Sequence, residues 1–180
     1  MLRHSQYVGL LRTLATTHKK IQHTPVAPRF ARVIISVDPM QRVVDMHELG
    51  TLLTKLKAGP GAQVLVVESC TTDYLDNGGD NRQRRRHGAF MVLQKLKSNT
   101  DYDAIEHALD ATEITAEQIV GGIEQHLAGQ VKVRLVPGSL AGDDIGPLGD
   151  GTWYGHRMDF DFTTPASAAL AYDSSAFNPA

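Results

Sequence analysis

Residues 62–97, AQVLVVESCTTDYLDNGGDNRQRRRHGAFMVLQKLK, decide the fold. The run Gln63-Val64-Leu65-Val66-Val67-Glu68 is short, β-branched and apolar, and Gly88-Ala89-Phe90-Met91-Val92-Leu93-Gln94-Lys95 is a second such run. Two apolar runs bounded by Gly, Asn and Asp are the signature of paired strands. Between them Ser69 to His87 predicts a long polar loop, far beyond the two to five residues usual for a hairpin. It carries Asp73, Asp76, Asn77-Gly78-Gly79-Asp80 and then Arg82, Arg84, Arg85 and Arg86. Loops of this length on a rigid sheet usually exist to touch something.

Outward from this pair, helices and strands alternate. Ser5 to Ile21 places Tyr7, Leu10, Leu11, Leu14 and Ile21 near one helical face. Pro25 and Pro28 then force an extended linker. Ala31 to Val37 predicts a strand ended by a turn at Asp38-Pro39, and Asp45 to Lys57 an amphipathic helix weakened by Gly50. After Lys97 a short helix is expected around Ala104 to Leu109. A clearer one follows from Ala116 to Leu127, with Thr115 as N-cap and Gly129 as stop. Gly121-Gly122 inside it would allow a close helix-to-sheet approach. Val131 to Val136 predicts a strand, Pro137 to Thr152 a Gly/Asp/Pro loop, and Tyr154 to Thr163 a half-buried strand. In that last strand Tyr154, His156, Met158, Phe160 and Phe162 form the apolar face, and Arg157, Asp159 and Asp161 lie on a wet one. The expected fold class is α+β: a mainly antiparallel sheet with helices packed on one face, as a single domain over 1–163. Residues 164–180, rich in Ala and Ser, form an expected C-terminal arm.

Composition narrows the function classes. The chain has 180 residues, 42% apolar and 21% charged, which fits a globular domain. A net charge of -2 and only 6% aromatics argue against a dedicated nucleic-acid binder. With one cysteine, Cys70, no internal disulfide can form, and no apolar run approaches the ~18 residues of a membrane span. No secretory h-region is expected. The first 37 residues hold six basic side chains and no acidic one, a pattern shared by transit peptides and by basic helices that dock on their own domain.

No chemical motif converges. There is no His-Glu-x-x-His spacing, no nucleotide-binding glycine loop and no Gly-x-Ser-x-Gly elbow. Asp73, Asp76 and Asp80 miss the ligand spacing of an EF-hand and read as a turn. Asp143, Asp144 and Asp150 form a second acidic loop, and His156 reads as a satisfied core histidine. No catalytic residue, cofactor or metal is therefore expected. The arginine run stands out, since four guanidinium groups on one loop would repel one another. An acidic partner on a neighbouring copy would relieve that, so Arg82, Arg84, Arg85, Arg86, Asp73, Asp76, Asp80, Asp143 and Asp144 form the expected subunit interface.

Three features together resemble the tail-terminator (tail-completion) proteins of long-tailed bacteriophages. These are the N-terminal amphipathic helix and strand, the strand pair Val64–Glu68 and Arg84–Leu93 with its long connection, and the helix Thr115–Leu127 leading to the strand Tyr154–Phe162. The resemblance covers roughly Ser5 to Thr163 and is one of layout. It implies a non-enzymatic virion protein, assembled in the host cytoplasm, whose hexameric ring caps the tail tube and docks the head-side connector. The helix Asp45–Lys57 and the Ala/Ser-rich tail depart from that pattern and leave a neck or tube role open. Two other readings stand beside it: a small intracellular enzyme with a site at residues 69–87 and His156, and a nucleic-acid-binding accessory protein using Arg82–Arg86.

Overall fold

The computed structural model describes residues 3–35, 39–56, 58–76, 81–130 and 132–176. The fold is α+β. Seven strands form one mostly antiparallel sheet, with helices mainly on one side. The path through the sheet is β1 (Phe30–Val33), β2 (Gln63–Glu68), β4 (Gln83–Lys95), β7 (Trp153–Pro165) and β5 (Arg134–Leu135). Two further strands lie off that path: β3 (Thr71–Leu75) continues along β4 beyond β2, and β6 (Ala141–Leu148) continues along β7.

The long β4–β7 ladder is the spine, in register from Gln83↔Pro165 to Lys95↔Trp153. It can run unbroken because Gly155 sits where β4 comes closest: a Cβ there would lie 2.0 Å from the Val92 carbonyl oxygen. Side chains of even number on β4 and β7 face one way. Phe90, Val92, Met158, Phe160 and Phe162 join Leu65 and Val67 in the larger core, beneath α1 (His4–Thr17) and α3 (Tyr102–Ala128). Odd-numbered positions face the other way. There Met91, Leu93 and Trp153 pack with Val64 and Val66 under Leu49 and Leu53 of α2 (Pro39–Lys55).

The second face is covered because β1 and β2 run parallel. Parallel neighbours need a crossover, and α2 is that crossover. It starts six residues before the expected Asp45, because Pro39 opens the helix instead of ending a turn. Proline suits the first helical position, where its missing N–H costs nothing.

The expected short helix and the helix from Ala116 are one element, α3, of 27 residues. Its N-cap is Asp101, whose carboxylate accepts from the Ala104 N–H at 3.0 Å. Thr115 lies inside the helix and is buried; its hydroxyl donates to Gln63 Oε1 at 2.8 Å. In sequence, a threonine buried inside a helix has the same signature as an N-cap. Gly122 does allow a close approach, but to Leu14 of α1, whose Cδ2 would sit 2.7 Å from a Cβ added at Gly122.

Two stretches expected to be loops are strands. Residues 71–75 and 83–87 pair as β3 and the first part of β4, so the hairpin begins well before Gly88. Likewise residues 141–148 pair with β7, despite their Gly, Asp and Pro content. The expected strand 131–136 is reduced to Arg134–Leu135, with Val131 outside the described residues. At the C-terminal end the ladder reaches Pro165, and Ala166 is buried with its N–H donating to the Arg82 carbonyl. The chain then enters α4 (Ser167–Leu170).

Candidate functional site

The strand β4 sorts the arginine run by parity. Arg85 and His87 face the same side as Asp159 and Asp161 of β7, and as Asp73 of β3. Arg85 Nε donates to Asp161 Oδ2 at 2.8 Å, with a second contact from Nη2 to the same oxygen. His87 bridges two carboxylates, with Nδ1 2.5 Å from Asp161 Oδ1 and Nε2 2.7 Å from Asp73 Oδ2. The bond to Asp73, followed by that to Asp161, raises the His87 pKa above its ordinary value. Both ring nitrogens thus face carboxylate oxygens, an arrangement that favours the charged imidazolium.

The other odd-numbered charges are likewise used up within the subunit. Arg157 grips Glu68 with two bonds, Nε to Oε1 at 2.7 Å and Nη2 to Oε2 at 3.2 Å, and Nη1 contacts Asp159. Glu68 is buried. The wet face expected for β7 is thus a partly buried ionic layer flanking the α2 core. Arg82, exposed at the start of the hairpin, pairs with Asp76 at 3.4 Å. Asp144 Oδ1 accepts a hydrogen bond from His156 Nδ1 at 2.9 Å, so His156 is a buried and satisfied histidine.

Arg84 and Arg86 differ. They point to the helix-bearing side and are only 8% and 9% exposed. Arg84 lies over the Tyr74 ring, 5.9 Å from its centroid. Burial, and then repulsion from Arg84, lowers the Arg86 pKa. Cys70 nearby is a poor nucleophile, because burial pushes its thiol up to about 12.

Of the residues singled out from sequence, Arg82, Arg84, Arg85, Arg86, Asp73 and Asp76 are brought together on β3, β4 and the residues directly flanking them. Asp143 and Asp144 lie on β6, across β7 from them. Asp80 lies outside the described residues, as do Asn77, Gly78 and Gly79. Asp161 was the partner missed. Its place on the charged parity of β7 was visible, but its register against Arg85 and His87 was not. Among the described residues no group of three or more His, Cys, Asp or Glu is arranged to hold a metal ion. No helix among them is long and apolar enough to cross a membrane.

Two strands off the main path of the sheet are exposed, one on each flank of the β4–β7 spine. All five residues of β3 are exposed, including Tyr74 at 55% and Leu75 at 45%. Six of the eight residues of β6 are exposed, and the remaining two are partly so. Among the described residues β3 pairs with β4 alone and β6 with β7 alone.

No protein-family model matches the chain. No curated protein matches it either.

Proposed function

We propose that the chain is a structural subunit that closes a ring of identical copies, in the manner of the phage tail terminators whose layout it resembles. In this reading the ring caps a tail tube, stops its growth and offers a face to the head-side connector. One observation carries it: a single sheet with an exposed strand on each flank, β3 on one side and β6 on the other. A strand edge exposes unpaired N–H and C=O groups, and monomers normally blunt or cover such edges. Two unlike edges on one subunit favour a head-to-tail contact, which generates a ring when its rotation closes.

The chemistry of the flanks supports the same reading. β3 presents Tyr74 and Leu75, and aromatic side chains are enriched at interfaces. β6 presents Asp143. The proposed interface is narrower than the one expected from sequence. Arg85, Arg82, Asp73, Asp76 and Asp144 already have partners in their own subunit, so the intersubunit contact is made by strand edges and apolar side chains more than by opposed charges.

The capping role is tested by adding the purified chain to its polymerising tail-tube protein. Tubes are expected to stop growing and to carry the chain at one end in labelled electron micrographs. Unchecked growth with no label at either end would overturn the proposal.

A further inference from the structure

We propose that Arg84, Arg86 and Thr164 form a binding site for a small tetrahedral oxyanion of the phosphate class. Arg84 and Arg86 are each more than nine-tenths buried, two residues apart on one face of β4. Neither has a hydrogen-bond or ion-pair partner among the described residues, and Arg84 Nε, Arg84 Nη2 and Arg86 Nε are fully closed off and unpaired. Thr164, directly across the ladder from Arg84, is buried with its Oγ1 also unpaired. Side chains directly opposite on an antiparallel pair are in contact range. Four unpaired polar atoms therefore belong to one face of the sheet, with the Arg84 guanidinium over the Tyr74 ring of β3.

Burying one guanidinium without a counter-charge is costly, and two adjacent ones repel as well. Such an arrangement is expected to be completed by an anion. Thr164, though neither arginine, also lines a cavity of about 180 Å³ whose walls include Asn81, Gln83, Lys132 and Arg134, with no carboxylate among the described residues. Two more cations thus stand at the same end of the sheet.

The geometry selects the kind of anion. Residues i and i+2 of a strand are about 6.5–7 Å apart, so their planar forks approach a shared ligand from separate directions. A carboxylate is already filled by one fork. A tetrahedral oxyanion has oxygens for both forks and for the threonine hydroxyl. The closure of the site favours a free ion over a polymer backbone. The inference is independent of ring formation.

Calorimetric titration of the full chain with inorganic phosphate, at ionic strength matched with chloride, tests it. Saturable one-site binding is expected, together with a rise in melting temperature that chloride does not produce. Arg84→Gln and Arg86→Gln should each weaken phosphate binding at least tenfold, and Arg82→Gln, at an exposed position paired with Asp76, should leave it unchanged. Absence of phosphate binding to the unaltered chain would overturn the proposal without recourse to any variant. So would Arg86→Met raising the melting temperature equally with and without phosphate, which is the behaviour of an arginine buried only for its aliphatic stem. Arg84-dependent binding of a short single-stranded oligonucleotide, with none of free phosphate, would also overturn it.

Discussion

At residue scale, the decisive feature is that Arg85, His87 and Arg157 find carboxylates across strands, far from them in the chain. Arg157 satisfies a buried Glu68 that lies 89 residues away. Truncating it as Arg157→Ala leaves that carboxylate buried and alone, which costs roughly 3–5 kcal/mol. Urea unfolding should show the loss, and Arg157→Lys should recover only part of it, since an ammonium cannot reproduce the two-bond grip. His87 gives a pH signature. Its pKa is raised in the folded state by Asp73 and then Asp161, so its contribution is fully present below the unfolded value of about 6.5. That contribution is lost as pH rises through the higher folded value. Unfolding midpoints measured from pH 6 to 9 should therefore fall, and His87→Gln should flatten that fall.

These side chains also show what could be read beforehand. The alternation from Tyr154 to Thr163 placed Met158, Phe160 and Phe162 in the core correctly, because a period of two is visible in any single strand. The same alternation in Arg84-Arg85-Arg86-His87 was hidden, since four charged residues show no contrast between faces. Only the register against β7 reveals that Asp161 neutralises one face and that the other is closed. The run looked like a loop tip because the partner of Arg85, Asp161, is distant in the chain.

At the scale of elements, α3 depends on Asp101 for its start and on Thr115 for its seat. Asp101→Ala should cost about 1 kcal/mol by removing the cap to Ala104. Thr115→Val keeps the shape but leaves Gln63 Oε1 without its donor, at about 1–3 kcal/mol. Thermal or urea melts of the two variants would check both figures. The spine is just as sensitive: Gly155→Ala drives a methyl into the Val92 carbonyl and should destabilise by roughly 1–3 kcal/mol or more. The helical periods of α1 and α2 were legible, but α2's start was not, since Asp38-Pro39 serves turns and helix openings equally well. β3 and β6 escaped notice for a different reason. Edge strands with little buried surface carry little apolar pattern, so polar composition disguises them as loops.

At the scale of the whole molecule, one sheet holds two helix-backed cores, an internal ionic layer and two exposed flanks. The two exposed flanks are what support the proposed joining of the subunit to copies of itself, and Arg85, His87, Asp161, Arg157 and Glu68 hold strands together within it. Native mass spectrometry of the full chain across a range of concentrations is the most direct test of this account. A single closed oligomer of fixed subunit number, weakened when Tyr74→Lys and Leu75→Lys are combined on β3, is the predicted result. A monomer at every concentration, or an open ladder of sizes with no preferred number, would contradict it.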